Sequence, residues 1–167
     1  MRIAVTGPES SGKSYLVEKI GKEFDLAPVP EYAREYLGSL DRPYALSDLI
    51  EIAEGQLALE AKLGEGRKGV VADTDLTVIK IWAEDKFKNV PLILELAWEA
   101  QQYDHYLLCK PDIPWEADPL RENPKDRDRL FGMYENYLKA KGLPFTIVHG
   151  SEEGRWSIVE EVIKTIP

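Results

Sequence analysis

Eight residues near the start of the chain, GPESSGKS from Gly7 to Ser14, constrain it more than any other feature. They fill the pattern G-x-x-x-x-G-K-[ST] completely. A short apolar run, Ile3 to Val5, precedes them and a helical pattern follows, which is the context the pattern requires. Glycines at 7 and 12 let the backbone curl until its N–H groups point inward at the β- and γ-phosphates of a nucleotide, and the following helix presents its positive dipole end. Pro8, Glu9, Ser10 and Ser11 make up the curl, and Tyr15 borders the same site. Lys13 adds a mobile positive charge. Ser14 places a hydroxyl where nucleotide-bound Mg²⁺ takes a ligand, so Mg-ATP or Mg-GTP is the implied cofactor.

Apolar runs at Ile3–Val5, Val70–Ala72, Tyr106–Leu108 and Phe145–Val148 read as strands buried on both faces, separated by segments of helical length. That alternation predicts a mostly parallel α/β sheet. Pro28 and Pro30 confine a fifth strand, Ala27–Val29, to an edge. Helices are expected over Ser14–Phe24, Ser47–Lys62, Leu76–Phe87, Pro91–Gln102, Pro124–Lys141 and Glu152–Thr165, with Ser47 as an N-cap and a possible kink at Gly55. A length of 167 residues suits one buried core. The expectation is a single domain over 1–167, with the irregular stretch around 111–130 acting as a lid.

Thirty acidic residues against 21 basic ones give a net charge of −9. That excludes a duplex-coating protein and a polybasic membrane anchor, and leaves nucleic acid and membrane off the list of expected partners. No apolar run approaches the roughly 20 residues of a membrane-spanning helix, and Met1-Arg2 leads straight into a strand. A cytoplasmic protein is expected. Cys109, the one cysteine, lies in the apolar segment His105–Cys109 and reads as a buried strand thiol.

The strand at Gly69–Ala72 ends in Asp73-Thr74-Asp75, and ligands of open parallel sheets gather at carboxyl ends of strands. Asp73 is a candidate for holding Mg²⁺ or for accepting the proton of an attacking hydroxyl. Asp75 is a candidate for binding substrate hydroxyls or for capping the helix that starts at Leu76. After Pro30, Glu31, Tyr32 and Arg34 put a carboxylate, a phenol and a guanidinium at the same sheet edge. Arg121, Lys125, Arg127 and Arg129 fall within nine residues. Arg121 and Arg127 are the candidates for stabilising a transferring phosphoryl group, and Arg129 for a structural pair. Trp82 and Trp115 are candidates for stacking on a flat heterocycle.

The segments GPESSGKS, PEYAREYL, VVADTDLTVIKIW and YLLCKPDIPWEADPLRENPKDRDRLF, in this order, resemble the nicotinamide riboside kinase domain of the bacterial bifunctional NAD-biosynthesis regulator family. The resemblance spans most of the chain. It implies a three-layer P-loop NTPase fold with a five-stranded sheet in the order 2-3-1-4-5. It also implies ATP-dependent phosphorylation of the ribose 5′-hydroxyl of nicotinamide riboside, a small-molecule nucleoside substrate. By the same resemblance Gly7–Ser14 hold ATP, Glu31–Arg34 and Asp73–Asp75 surround the riboside, and Arg121 and Arg127 belong to the lid. The N-K-x-D run by which GTPases read guanine is absent, which favours ATP. That family carries an adenylyltransferase domain upstream, whereas here the phosphate loop begins at Gly7, so the second reaction is not expected. The alternatives are another nucleoside or nucleotide kinase, or a nucleotide-dependent regulatory switch. The sequence does not specify an oligomeric state.

Overall fold

A computed structural model describes residues 1–166. Strand β1 (Arg2–Thr6) lies at the centre, between β3 (Val70–Asp73) and β4 (His105–Cys109). Strand β2 (Ala27–Val29) flanks β3 and β5 (Phe145–Val148) flanks β4, giving five parallel strands in the order β2-β3-β1-β4-β5. The expected sheet and strand order are found as read. Because helices cover both faces, the inner strands carry no polar alternation: Ile3, Ala4, Val5, Val71, Ala72, Leu107 and Leu108 are all fully buried.

Helices α1 (Lys13–Phe24) and α7 (Glu152–Thr165) pack on one face through Leu16, Ile20, Val159 and Ile163. Helices α4 (Leu76–Phe87) and α6 (Arg127–Ala140) cover the other through Val78, Ile81, Leu130, Tyr134 and Leu138. A third cluster joins α2 (Tyr32–Gly38), α3 (Leu46–Gly64) and α5 (Leu92–Ala100) to α4 through Ala33, Leu49, Ile52, Leu94 and Trp98. Among the described residues α2 is a helix beyond the six expected, at a segment too short for apolar periodicity to declare itself. Among the described residues no helix is long and apolar enough to cross a membrane.

Four of the six expected helices, α1, α3, α5 and α6, have boundaries displaced by one to three residues. Helix α3 starts one residue before Ser47: its third residue, Asp48, accepts the main-chain N–H of Ala45 at 2.6 Å, while Ser47 is exposed. Helix α6 begins at Arg127, not Pro124. Gly55 marks a contact: a Cβ there would come within 2.1 Å of the Tyr32 ring. Cys109 is buried, and burial pushes its thiol up to about 12, so it is inert at neutral pH.

Candidate active site

The strand order reverses at β1, so its carboxyl end opens between β3 and β4 into a crevice. The phosphate loop fills that opening. Gly7 sits at φ 131°, and a Cβ there would lie 2.7 Å from the Cys109 carbonyl oxygen, so only glycine lets the loop hug β4. Gly12 is left-handed at φ 80° and begins α1 without a side-chain cap or an acidic residue in the first turn. The unpaired amides of that turn are therefore left for an anion. Lys13 Nζ donates to the carbonyls of Gly7 (2.9 Å) and Pro8 (2.8 Å), and the Ser11 hydroxyl donates to Pro8 (2.7 Å).

Arg155 of α7 holds the loop from behind. Its guanidinium donates to the carbonyls of Ser11 (2.9 Å), Lys110 (2.6 Å) and Gly150 (3.1 Å) and pairs with the Asp112 carboxylate. The residue lines the cavity yet is only 5% exposed. Sequence reasoning overlooked it. The available signal was its register: Arg155, Val159 and Ile163 recur every four residues, which puts a cation on the buried stripe of α7.

At the end of β3 the backbone turns sharply. Thr74 takes φ 75°, a left-handed conformation costly for a β-branched residue, by roughly 1–3 kcal/mol. The turn sends the flanking carboxylates in different directions. Asp73 Oδ2 accepts the Ser14 hydroxyl at 2.5 Å, and its Oδ1 is buried with no partner. Three polar side-chain atoms among the described residues are buried in that condition, and this one alone belongs to a cavity-lining residue. A buried lone pair without a donor costs about 1–3 kcal/mol unless something fills it.

The cavity, about 440 Å³, runs from the loop past Asp73 toward α2 and α4. Its far half is bounded by Glu31, Ala33, Arg34, Leu37, Thr74, Val78, Trp82 and Tyr134. Burial raises the Glu31 carboxyl above its ordinary value and the Asp73 charge adds to this, while Lys13 and Arg34 pull the other way. Arg34 is the guanidinium that α2 contributes to this wall, and it is already paired, with Glu31 at 3.4 Å and with Asp118 at 2.9 Å.

A family model described as an AAA domain matches residues 2–155. The chain belongs to this AAA-domain family. The AAA-domain chain is 26% identical, over 170 residues, to the trifunctional NAD biosynthesis/regulator protein NadR of Salmonella typhimurium, covering 97% of itself and 42% of that protein. To NadR of Escherichia coli it is 28% identical over 153 residues, covering 87% of itself and 37% of the relative. It thus spans about two-fifths of the length of the curated relatives it matches. Among solved structures, NadR in complex with NR superposes with a TM-score of 0.78 at 18% identity, over 99% of this chain and 50% of that one. A deoxyadenosine kinase from M. mycoides superposes at 0.67 and 16% identity, over 99% and 100%. The fold of this AAA domain is therefore that of the P-loop kinases, and NadR is the protein group that its ordered segments resemble.

Of the residues read from the sequence, the AAA domain brings Gly7, Glu9, Ser10, Ser11, Gly12, Lys13, Ser14, Tyr15, Glu31, Arg34, Asp73, Trp82 and Arg121 to one cavity wall. Five lie outside it. Pro8 offers the loop its carbonyl. Tyr32 turns its ring onto Gly55, and its N–H donates to Gln56 (2.9 Å). Asp75 is the N-cap of α4: it accepts from Thr6 Oγ1 (2.7 Å), Thr77 N (3.1 Å), Thr77 Oγ1 (2.5 Å) and Gln101 Nε2 (2.9 Å), and is 1% exposed. A carboxylate so fully engaged has nothing left for substrate. Trp115 packs under the guanidinium groups of Arg121 and Arg127, at 5.9 and 5.6 Å. Arg127 donates to the carbonyls of Ser10 (2.9 Å) and Ile113 (3.1 Å). Arg129 makes the structural pairs expected of it, with Asp126 and Asp85.

Proposed function

We propose that the chain is a kinase that transfers the γ-phosphoryl group of ATP to the ribose 5′-hydroxyl of nicotinamide riboside, giving nicotinamide mononucleotide and ADP. The observation that carries this reading is the charge of the far half of the cavity. It offers the Glu31 carboxylate, with Asp73 at its border, while the guanidinium that α2 contributes, Arg34, is neutralised by Glu31 and Asp118. Such a wall suits a cationic or neutral nucleoside and repels a nucleoside monophosphate. The likeness to NadR, which has been solved with NR and with NAD and AMP-PNP, supports the same choice.

In this reading the loop amides, Lys13 and the first turn of α1 hold the triphosphate. Ser14 and the free oxygen of Asp73 fit Mg²⁺, which keeps most of its shell as water and phosphate oxygens and needs few protein ligands. Magnesium held by these residues would neutralise the negative charge that develops on the phosphates during transfer. Asp73 is thereby committed to the metal, and Glu31 takes the proton. Its raised carboxyl sits nearer neutrality, where a general base works best. The 5′-oxygen forms its bond to the γ-phosphorus as the bond to the β-bridging oxygen breaks, the hydroxyl proton passes to Glu31, and ADP carries off the electron pair. Residues 111–126 are the lid, and Arg121 delivers its guanidinium to the cavity to stabilise the equatorial oxygens. Trp82 and Val78 wall the space for the flat ring.

Steady-state rates over a nucleoside panel test the reading. Nicotinamide riboside is expected to give the highest kcat/KM, and a deoxynucleoside or uridine ahead of it would overturn the acceptor while leaving the transfer. Lys13→Ala is expected to lower kcat by about 10³-fold or more with an unchanged melting curve; near-normal turnover would remove the loop from the chemistry.

A further inference from the structure

Glu9 is an oddity in an anion-binding loop, because a carboxylate there repels the phosphates the loop exists to hold. Its contacts explain the residue. The Glu9 carboxylate accepts the main-chain N–H groups of Glu122 (3.1 and 3.3 Å) and Asn123 (3.0 Å), 113 and 114 residues further along. The neighbouring Ser10 is held left-handed at φ 53°, and its hydroxyl accepts the N–H of Glu116 at 2.9 Å. Ser10 also receives Arg127 on its carbonyl. Two successive residues of the phosphate loop therefore hold the lid near Glu116 and at Glu122 and Asn123, and Ser10 also holds the first residue of α6. Arg121 is the residue immediately before the amides that Glu9 captures, and its own guanidinium reaches back to the Glu116 carbonyl while lining the cavity.

From this geometry we infer that Glu9 is a positioning residue: it docks the lid backbone on the phosphate loop and so sets where Arg121 stands over the transferring group. Two N–H donors absorb its charge while the lid is down, which is how a carboxylate is tolerated beside a triphosphate. Ser10 fixes the near end of the lid and Glu9 the far end, leaving Arg121 between two fixed points. Glu122, whose amide is captured, is also tied through its side chain to Lys86 at 3.2 Å, so the far end is anchored to α4 as well. The role of Arg121 rests on the kinase reading; the docking does not.

The test has two arms. Hydrogen exchange on the whole protein without ligand reads the docking alone. In Glu9→Ala the amides of residues 122 and 123 are expected to exchange about tenfold or more faster, while strand amides keep their rates. Unchanged exchange there overturns the inference. Turnover with Mg-ATP and nicotinamide riboside reads the coupling to Arg121. If Glu9 acts through Arg121, kcat falls about tenfold in Glu9→Ala, further in Arg121→Ala, and no further in the double variant. Losses that multiply overturn it. A wild type that transfers nothing to the riboside defeats the acceptor reading and leaves the exchange arm to decide this one. If Glu9→Ala loses its cooperative melt, Glu9→Gln, which keeps one acceptor oxygen, is read by exchange instead: partial loss of protection supports the docking and full protection overturns it.

Discussion

Asp73 and Asp75 stand two residues apart at the end of one strand, carry the same functional group, are both almost wholly buried, and are used in opposite ways. Both oxygens of Asp75 are engaged, Oδ1 by Thr6 and Oδ2 by Thr77 and Gln101, and Gln101 in turn accepts the Leu76 N–H at 3.0 Å. Asp73 accepts from Ser14 and keeps one oxygen bare. The left-handed Thr74 between them makes the difference, since an ordinary extended residue would put both side chains on one face of the strand. A buried carboxylate whose bonding is complete belongs to the fold. One whose bonding is left incomplete, at a cost to the fold, keeps an oxygen that a ligand can take, which is the use proposed for Asp73.

The sharpest way to break that comparison is Asp73→Asn. The amide keeps the shape but gives up the charge, and kcat is expected to fall about 10³-fold, roughly 4 kcal/mol of transition-state stabilisation. The Mg²⁺ concentration for half-maximal rate should rise, and the melting temperature should stay within about 2 °C of the wild type. A rise confined to the KM of the nucleoside would make Asp73 a substrate-binding group and not a metal ligand. The complementary variant, Asp75→Ala, strands four donors and removes the α4 cap. We expect about 3 kcal/mol of lost stability, a fall of roughly 6–12 °C in melting temperature, with turnover per folded molecule within about twofold of normal. A kinetic defect in a stable Asp75→Ala protein would erase the distinction between the two aspartates.

The two aspartates also mark how far the sequence could be read. The loop, the strands and the cavity-facing Glu31, Arg34 and Asp73 were legible because each rests on chain-local facts: a motif, an apolar run, the carboxyl end of a strand; the order of the strands came from the family resemblance. Asp75 and Tyr32 could not be separated from their neighbours, because which way a side chain leaves the backbone depended on a positive φ at Thr74 and on a glycine at position 55 making room from another helix. Trp115 fell in a segment without periodicity and Arg127 where that segment meets α6, and their partners, Arg121 and Ser10, are set by how the segment lies across the loop. Glu9 looked like one variable position among four, since its partners are main-chain amides more than 100 residues away that no residue type announces. Arg155 was readable in principle, from a charged residue in register with an apolar stripe.

Glu31 is the intermediate case: a carboxylate with one partner, Arg34, and a raised proton affinity caused first by burial. If it is the base, it must be ionised to act, so kcat/KM should decline as pH falls through a value above the ordinary 4.5 for glutamate. Glu31→Gln should remove that acid limb and lower kcat about 10- to 100-fold, less than Asp73→Asn, because phosphoryl transfer draws more on charge neutralisation than on proton removal. Stability must move the other way. A group whose folded proton affinity is raised contributes stability below its unfolded value and loses it as pH rises through the folded one, so at neutral pH the ionised Glu31 is a burden. Glu31→Gln is therefore expected to melt about 2–4 °C higher at pH 7.5, on the order of 1 kcal/mol, and to match the wild type near pH 4. Equal melting temperatures across that range would place Glu31 with Asp75, as a carboxylate whose charge the fold already accommodates.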